Sequence, residues 1–137
     1  NNPGKPVIAA IDKNQPAASP EFEKRTVKDT KTIQVKNSQV KVDLYDDGEI
    51  DNDIVSVYFN KQQIVNKRSL TATAHSFTLT VEPGKYNELV LFADNLGSLP
   101  PNTALMVITD GTSRHEVRLS ADLKNNASIQ FELKNNN

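Results

Sequence analysis

The segment Asp46-Asp47-Gly48-Glu49-Ile50-Asp51-Asn52-Asp53 places five carboxylates within eight residues. Gathered so closely, these charges repel one another unless water solvates them, a cation pairs with them or a metal bridges them. Oxygen donors around a glycine turn are what Ca²⁺ accepts, typically about six to eight at a time. Asp46, Asp47, Glu49, Asp51 and Asp53 are therefore the candidate ligands for Ca²⁺ or a similar hard ion. The spacing is not that of an EF-hand, because Gly48 comes too early and no glutamate stands at the closing position. The same residues serve equally as a solvated acidic turn whose Asp side chains accept from their own backbone. No other cofactor is suggested by the sequence.

A second polar cluster, Asp94-Asn95-Leu96-Gly97-Ser98-Leu99-Pro100-Pro101-Asn102-Thr103, separates two apolar runs. Loops carried on a rigid scaffold are frequent binding sites, which makes Asp94, Asn95 and Asn102 candidates for ligand contact. Two consecutive prolines also fix a long connection simply by reducing the freedom of the unfolded chain. Sugar rings stack on exposed aromatics, and the outward positions in the strand pattern are Tyr45, Tyr58 and Tyr86. Tyr58 has a second use as cover for a sheet edge. His75 and His115 are the only imidazoles. Neither lies in a Gly-x-Ser-x-Gly elbow or a His-Glu-x-x-His motif, and no glycine-rich phosphate loop is present.

These side chains need a scaffold, and the pattern from Thr26 onward is one of period two. Ile33/Val35, Val40/Val42/Leu44, Val55/Val57/Phe59, Phe77/Leu79/Val81, Val117/Leu119 and Ile129/Phe131/Leu133 all alternate with polar residues. Alternation assigns the apolar set to one face of a sheet. Glu88 to Ala93 and Ala104 to Thr109 are almost continuously apolar and suit strands covered on both faces. Turn-forming residues separate the runs at Lys36-Asn37-Ser38, Asp47-Gly48, Asn60-Lys61, Pro83-Gly84, Pro100-Pro101-Asn102, Asp110-Gly111 and Asn125-Asn126. Asp110-Gly111 is the clearest hairpin signal, and Ser120 to Lys124 allows one helical turn. The pattern predicts an all-β antiparallel β-sandwich of about eight or nine short strands, immunoglobulin-like or jelly-roll. Phe59, Leu79, Leu91, Val107 and Phe131 are its expected buried residues.

The chain has 137 residues with a formal net charge of -1, which argues against nucleic acid as a partner. No apolar run approaches the length of a membrane-spanning helix. The absence of cysteine removes disulfides, thiolate metal sites and thiol nucleophiles together. Residues 1–25 hold four of the seven prolines and few apolar residues, and read as a flexible leader or linker. Residues 26–137 are then the sandwich domain with a short polar tail. Asn rather than Met at position 1 is expected where a targeting peptide has been removed or the start trimmed.

Three stretches carry a family resemblance: Val42 to Asn60, Asp94 to Met106 and Arg114 to Phe131. Over about residues 26–134 the chain resembles a C-terminal module found in secreted, mostly uncharacterised proteins of Bacteroidetes-type bacteria. The resemblance implies export, to the cell envelope or beyond, and a non-catalytic module attached to varied partners. It implies no catalytic residues. The expected function is binding or adhesion to a glycan, a protein or a surface component. The alternatives are a purely structural module of a larger secreted assembly, or a small hydrolase using His75 or His115 with a carboxylate.

Overall fold

The structure, a computed structural model, describes residues 22, 24–47, 53–95 and 101–134. Nine strands lie within those residues: β1 Thr26–Val35, β2 Gln39–Asp46, β3 Ile54–Phe59, β4 Gln62–Ser69, β5 His75–Thr80, β6 Tyr86–Ala93, β7 Asn102–Asp110, β8 Ser113–Ala121 and β9 Asn125–Leu133. They form a five-stranded sheet in the order β1-β9-β6-β3-β4 and a four-stranded sheet in the order β5-β2-β7-β8. Every pairing is antiparallel except β1 with β9, which is parallel. The fold is the all-β sandwich the alternation predicts. Among the described residues no helix is long and apolar enough to cross a membrane.

The two sheets bury their alternating apolar faces against each other. Val40, Val42 and Leu44 of β2 meet Leu89 and Leu91 of β6 and Ile129 and Phe131 of β9 in one continuous core. Of the five residues expected to be buried, Phe59, Leu79, Leu91 and Phe131 lie in that core. Val107 is buried too, but it stands opposite Asp43 and Glu116, on the outer face of the four-stranded sheet. The two continuous apolar runs are β6 and β7, and they belong to different sheets.

β6 is covered on both faces because a second apolar cluster sits outside the sandwich. Phe22 lies on Tyr58 with ring centroids 4.3 Å apart, and Phe92 completes the group. The Arg25 guanidinium lies 3.8 Å from the Phe92 ring centroid, and its Nη1 donates to the Ala93 carbonyl at 2.6 Å. Phe22 and Arg25 fall inside the leader expected over residues 1–25, of which residues 1–21 and 23 lie outside the described residues.

Among the described residues only two sequence-adjacent strand pairs are hairpins, β3–β4 and β7–β8. In the first, Asn60 and Lys61 both have positive φ, 51° and 69°, the conformation whose twist suits a two-residue hairpin loop. In the second, Gly111 has φ 62°. Beside it the Asp110 carboxylate accepts from Lys36 N at 2.7 Å, Asn37 N at 3.0 Å and Asn37 Nδ2 at 2.6 Å. One side chain thus ties the β1–β2 connection to the β7–β8 hairpin, across the two sheets. A Cβ on Gly111 would come 2.8 Å from Asn37 Nδ2. Gly111→Ala is therefore expected to destabilise the fold by about 2 kcal/mol in chemical denaturation, from left-handed strain and a displaced Asn37. The helical turn expected over Ser120 to Lys124 is absent. β8 runs on to Ala121, and Asp122 Oδ1 then accepts from the backbone N–H groups of Lys124 and Asn125, each at 2.8 Å. A short Asp side chain competes well with the backbone for such donors, so an Asp turn forms where a helix would start.

Candidate functional site

The described residues flanking the acidic segment, Asp47 and Asp53, and those flanking the Pro-Pro loop, Asn95, Asn102 and Thr103, meet at one end of the sandwich. Asp53 Oδ2 accepts from Thr103 N at 3.2 Å, and Thr103 Oγ1 donates to the Asp47 carbonyl at 3.3 Å. Asn95 Oδ1 accepts from Ile54 N at 2.9 Å, while Asn102 Nδ2 donates to the Asn95 and Ile54 carbonyls at 2.5 and 3.3 Å. Asp94 accepts from Ser56 Oγ at 2.7 Å. Ser56 Oγ in turn accepts from Lys67 N at 3.0 Å.

These partners give the polar residues an inward orientation. Asp53 and Asn102 are 1% and 0% exposed, so they brace chain crossings rather than face a ligand in water. Burial pushes the Asp94 carboxyl above its usual range, although Ser56 and the charges of Lys67 and Arg25 pull the other way. Of the five candidate metal ligands, Asp46, Asp47 and Asp53 are described, and Asp46 is buried at the end of β2. Glu49 and Asp51 lie outside the described residues. Among the described residues no three His, Asp or Glu side chains gather closely enough to hold a metal ion.

The candidate aromatics separate into different environments. Tyr58 points out of the sandwich as the alternation predicts, but Phe22 leaves it only 4% exposed. Its ring is not available for stacking. Tyr86 is 56% exposed at the start of β6. Tyr45 is half-buried on the outer face of the four-stranded sheet. On that face it stands directly opposite Leu105, which stands opposite Arg118. Residues opposite each other in a sheet share a face, so the three form a row across β2, β7 and β8. Arg118 Nε lies 3.2 Å from Asp47 Oδ1, which aims the guanidinium along the row. Leu105 and Arg118 were not singled out from sequence. Alternation in β8 puts Arg118 outward, but β7 is continuously apolar and gives no such cue for Leu105, and their partnership with Tyr45 depends on strand order.

Neither imidazole has a carboxylate for a hydrogen-bond partner among the described residues. His75 Nδ1 lies 2.7 Å from Arg68 Nη2. His115 stands opposite Ile108 and acts on Asp110 only through its charge. No group of nucleophile, base and orienting carboxylate forms among the described residues, so the hydrolase alternative has no geometry in support.

Across residues 1–132 the chain matches the family described as "Chitinase A, N-terminal domain". The match includes all three stretches that carry the sequence resemblance, but the family is a chitinase N-terminal domain and not the Bacteroidetes-type C-terminal module expected from them. No curated protein and no solved structure matches the chain.

Proposed function

Because this chain belongs to the chitinase A N-terminal domain family, we propose that it is an exported, non-catalytic module that docks chitin on the outer face of its four-stranded sheet. The observation that carries this reading is the row Tyr45–Leu105–Arg118, with Asp47 at its end. Three neighbouring strands make a platform roughly 10 Å across. An aromatic ring beside an apolar side chain suits the flat face of a sugar ring. A guanidinium fork and a carboxylate at one end suit hydroxyl and acetamido groups, which both donate and accept. A sheet face is rigid, so little ordering is required when a polymer lies on it.

The test is depletion of the protein from solution by insoluble chitin. Tyr45→Ala is expected to weaken binding about tenfold, the loss of one stacked ring and its contact area. Arg118→Ala should weaken it as well, while Tyr86→Ala, remote from the row, should bind as the parent does. Thermal midpoints of the three variants check that the fold survives. Absence of binding by the parent, or full binding by a Tyr45→Ala, Arg118→Ala variant, would overturn this reading. The second outcome would favour a purely structural spacer.

A further inference from the structure

β4 and β5, the outermost strands at one edge of the sandwich among the described residues, flank a cleft of about 440 Å³ on the far side of the fold from β8. Leu44 lies at its base, and Lys67, Arg68, Thr71 and His75 surround it. The placement of Arg68 comes from an irregularity in β4. Val55 pairs with Arg68 and Val57 with Val65, so β4 uses three residues where β3 uses two. The extra residue is a β-bulge, and Lys67 within it has φ 47°, a left-handed conformation unusual for a side chain of its kind.

That bulge is held from behind. Lys67 N donates to Ser56 Oγ, and Ser56 Oγ donates to Asp94. Its effect falls on the next residue. Standing opposite the core residue Val55, Arg68 takes the register of an inward position instead of an outward one. His75 of β5 stands opposite Leu44 and occupies the equivalent position on the other sheet. The two side chains meet with Arg68 Nη2 2.7 Å from His75 Nδ1.

A guanidinium only donates, so Nδ1 accepts and the imidazole proton resides on Nε2. Burial, then the Arg68 charge, lowers the His75 pKa and keeps the ring neutral. The remaining Arg68 N–H groups and the Nε2–H are donors, and among the described residues no carboxylate lines the cleft. The Lys67 charge acts on Asp94, which Ser56 holds. The wall between β4 and β5 is also fixed. Leu70 N donates to the Asp53 carbonyl at 2.9 Å and Asp46 N to the Thr71 carbonyl at 2.9 Å. Thr71 Oγ1 accepts from Thr73 N and donates to the Thr73 carbonyl, each at 3.1 Å.

We infer that this cleft binds an oxyanion, a carboxylate or sulfate group, with the Arg68 fork as its principal contact and His75 as a supporting donor. The inference is independent of the chitin-docking face. Lysines and arginines on edge strands commonly serve to keep sheets from pairing with one another. That service needs neither a strained bulge that sets Arg68 against His75 nor an imidazole whose tautomer the arginine sets. A guanidinium fork matches the two oxygens of a carboxylate or sulfate.

The experiment is a titration of the whole chain followed by amide and imidazole NMR, at ionic strength held constant with sodium chloride. The probes are sodium sulfate in one arm and sodium acetate in the other. Saturable shifts confined to residues 67–75 are expected with at least one of them. The arm that saturates at lower concentration tells a sulfate ligand from a carboxylate. Arg68→Gln should weaken the saturating probe about tenfold or more, the loss of a charge-assisted contact. Lys31→Gln, on the opposite edge of the sandwich, should leave it unchanged. Shifts that rise linearly without saturating, shifts spread over basic residues generally, or equal affinity in a folded Arg68→Gln variant would overturn the inference.

Discussion

Phe131→Ala is expected to destabilise the fold by about 3–5 kcal/mol, the range for truncating a fully buried aromatic. Phe131 is 0% exposed and is among the largest fully buried side chains in the molecule. It lies on β9, which pairs with β1 on one side and β6 on the other. The backbone around it is thus fixed by two ladders and cannot collapse into the space the ring leaves. The upper half of the range follows from that constraint. For a domain of this size the melting midpoint should fall by roughly 10–20 °C. Phe131→Leu fills more of the volume and should recover over half the loss. Val107→Ala provides the contrast, because Val107 is buried outside the core between neighbouring strands and should cost about 1 kcal/mol. A small effect at Phe131 beside a large one at Val107 would mean that β9 and β7 present the opposite faces to the core.

Asp110→Ala is expected to cost about 3 kcal/mol at neutral pH, with a dependence on acidity that identifies its origin. The carboxylate receives two backbone N–H donors and one amide donor, and hydrogen bonds to a charged acceptor contribute about 1.5–3 kcal/mol each without being additive. Burial acts to raise its pKa. The hydrogen bonds from Lys36 and Asn37, with the charge of His115, outweigh burial and hold the group below the ordinary carboxylate value of 3.8. A carboxyl depressed in the folded state contributes stability that is complete above the unfolded pKa. That contribution disappears as pH falls through the folded pKa. The difference between parent and Asp110→Ala should therefore be constant near neutrality and narrow only below about pH 4. Denaturant midpoints measured across that interval check it. A difference that stayed constant into strong acid would show that the side chain acts by packing and not through its charge.

Much of the scaffold was legible because half-buried strands write their orientation into the chain every second residue. β2, β5 and β9 read directly in this way. β4 did not, since Val65 is its only buried residue and a bulge breaks its period. An edge strand has one side without a neighbour and needs no apolar set to hold it there. β6 and β7 were legible as strands, but not their assignment to different sheets, because continuous burial carries no facing information. The polar clusters were the harder case. Asp94, Asn95 and Asn102 were singled out as side chains a ligand would meet, and the structure turns them toward Ser56, Ile54 and one another. Amide and carboxylate groups at a loop look the same in a sequence whether they satisfy water, a ligand or the backbone of a distant strand. Only the fold decides which. Tyr58 was correctly assigned to an outward position, and its cover by Phe22 came from a stretch with too few apolar residues to signal a packed contact.

The parallel pairing of β1 with β9 has a mechanical meaning. Thr26 lies beside Asn125, and Val35 lies beside Leu133. A pull applied at the start of β1 and the end of β9 therefore drags the two strands past each other along their length. Their hydrogen bonds are loaded in shear, all of them together, rather than unzipped one after another from an end. A module built this way resists extension most strongly along the line joining those two points. That is the direction in which tension runs when one part of a chain is held to a solid and the part that follows is carried by flow.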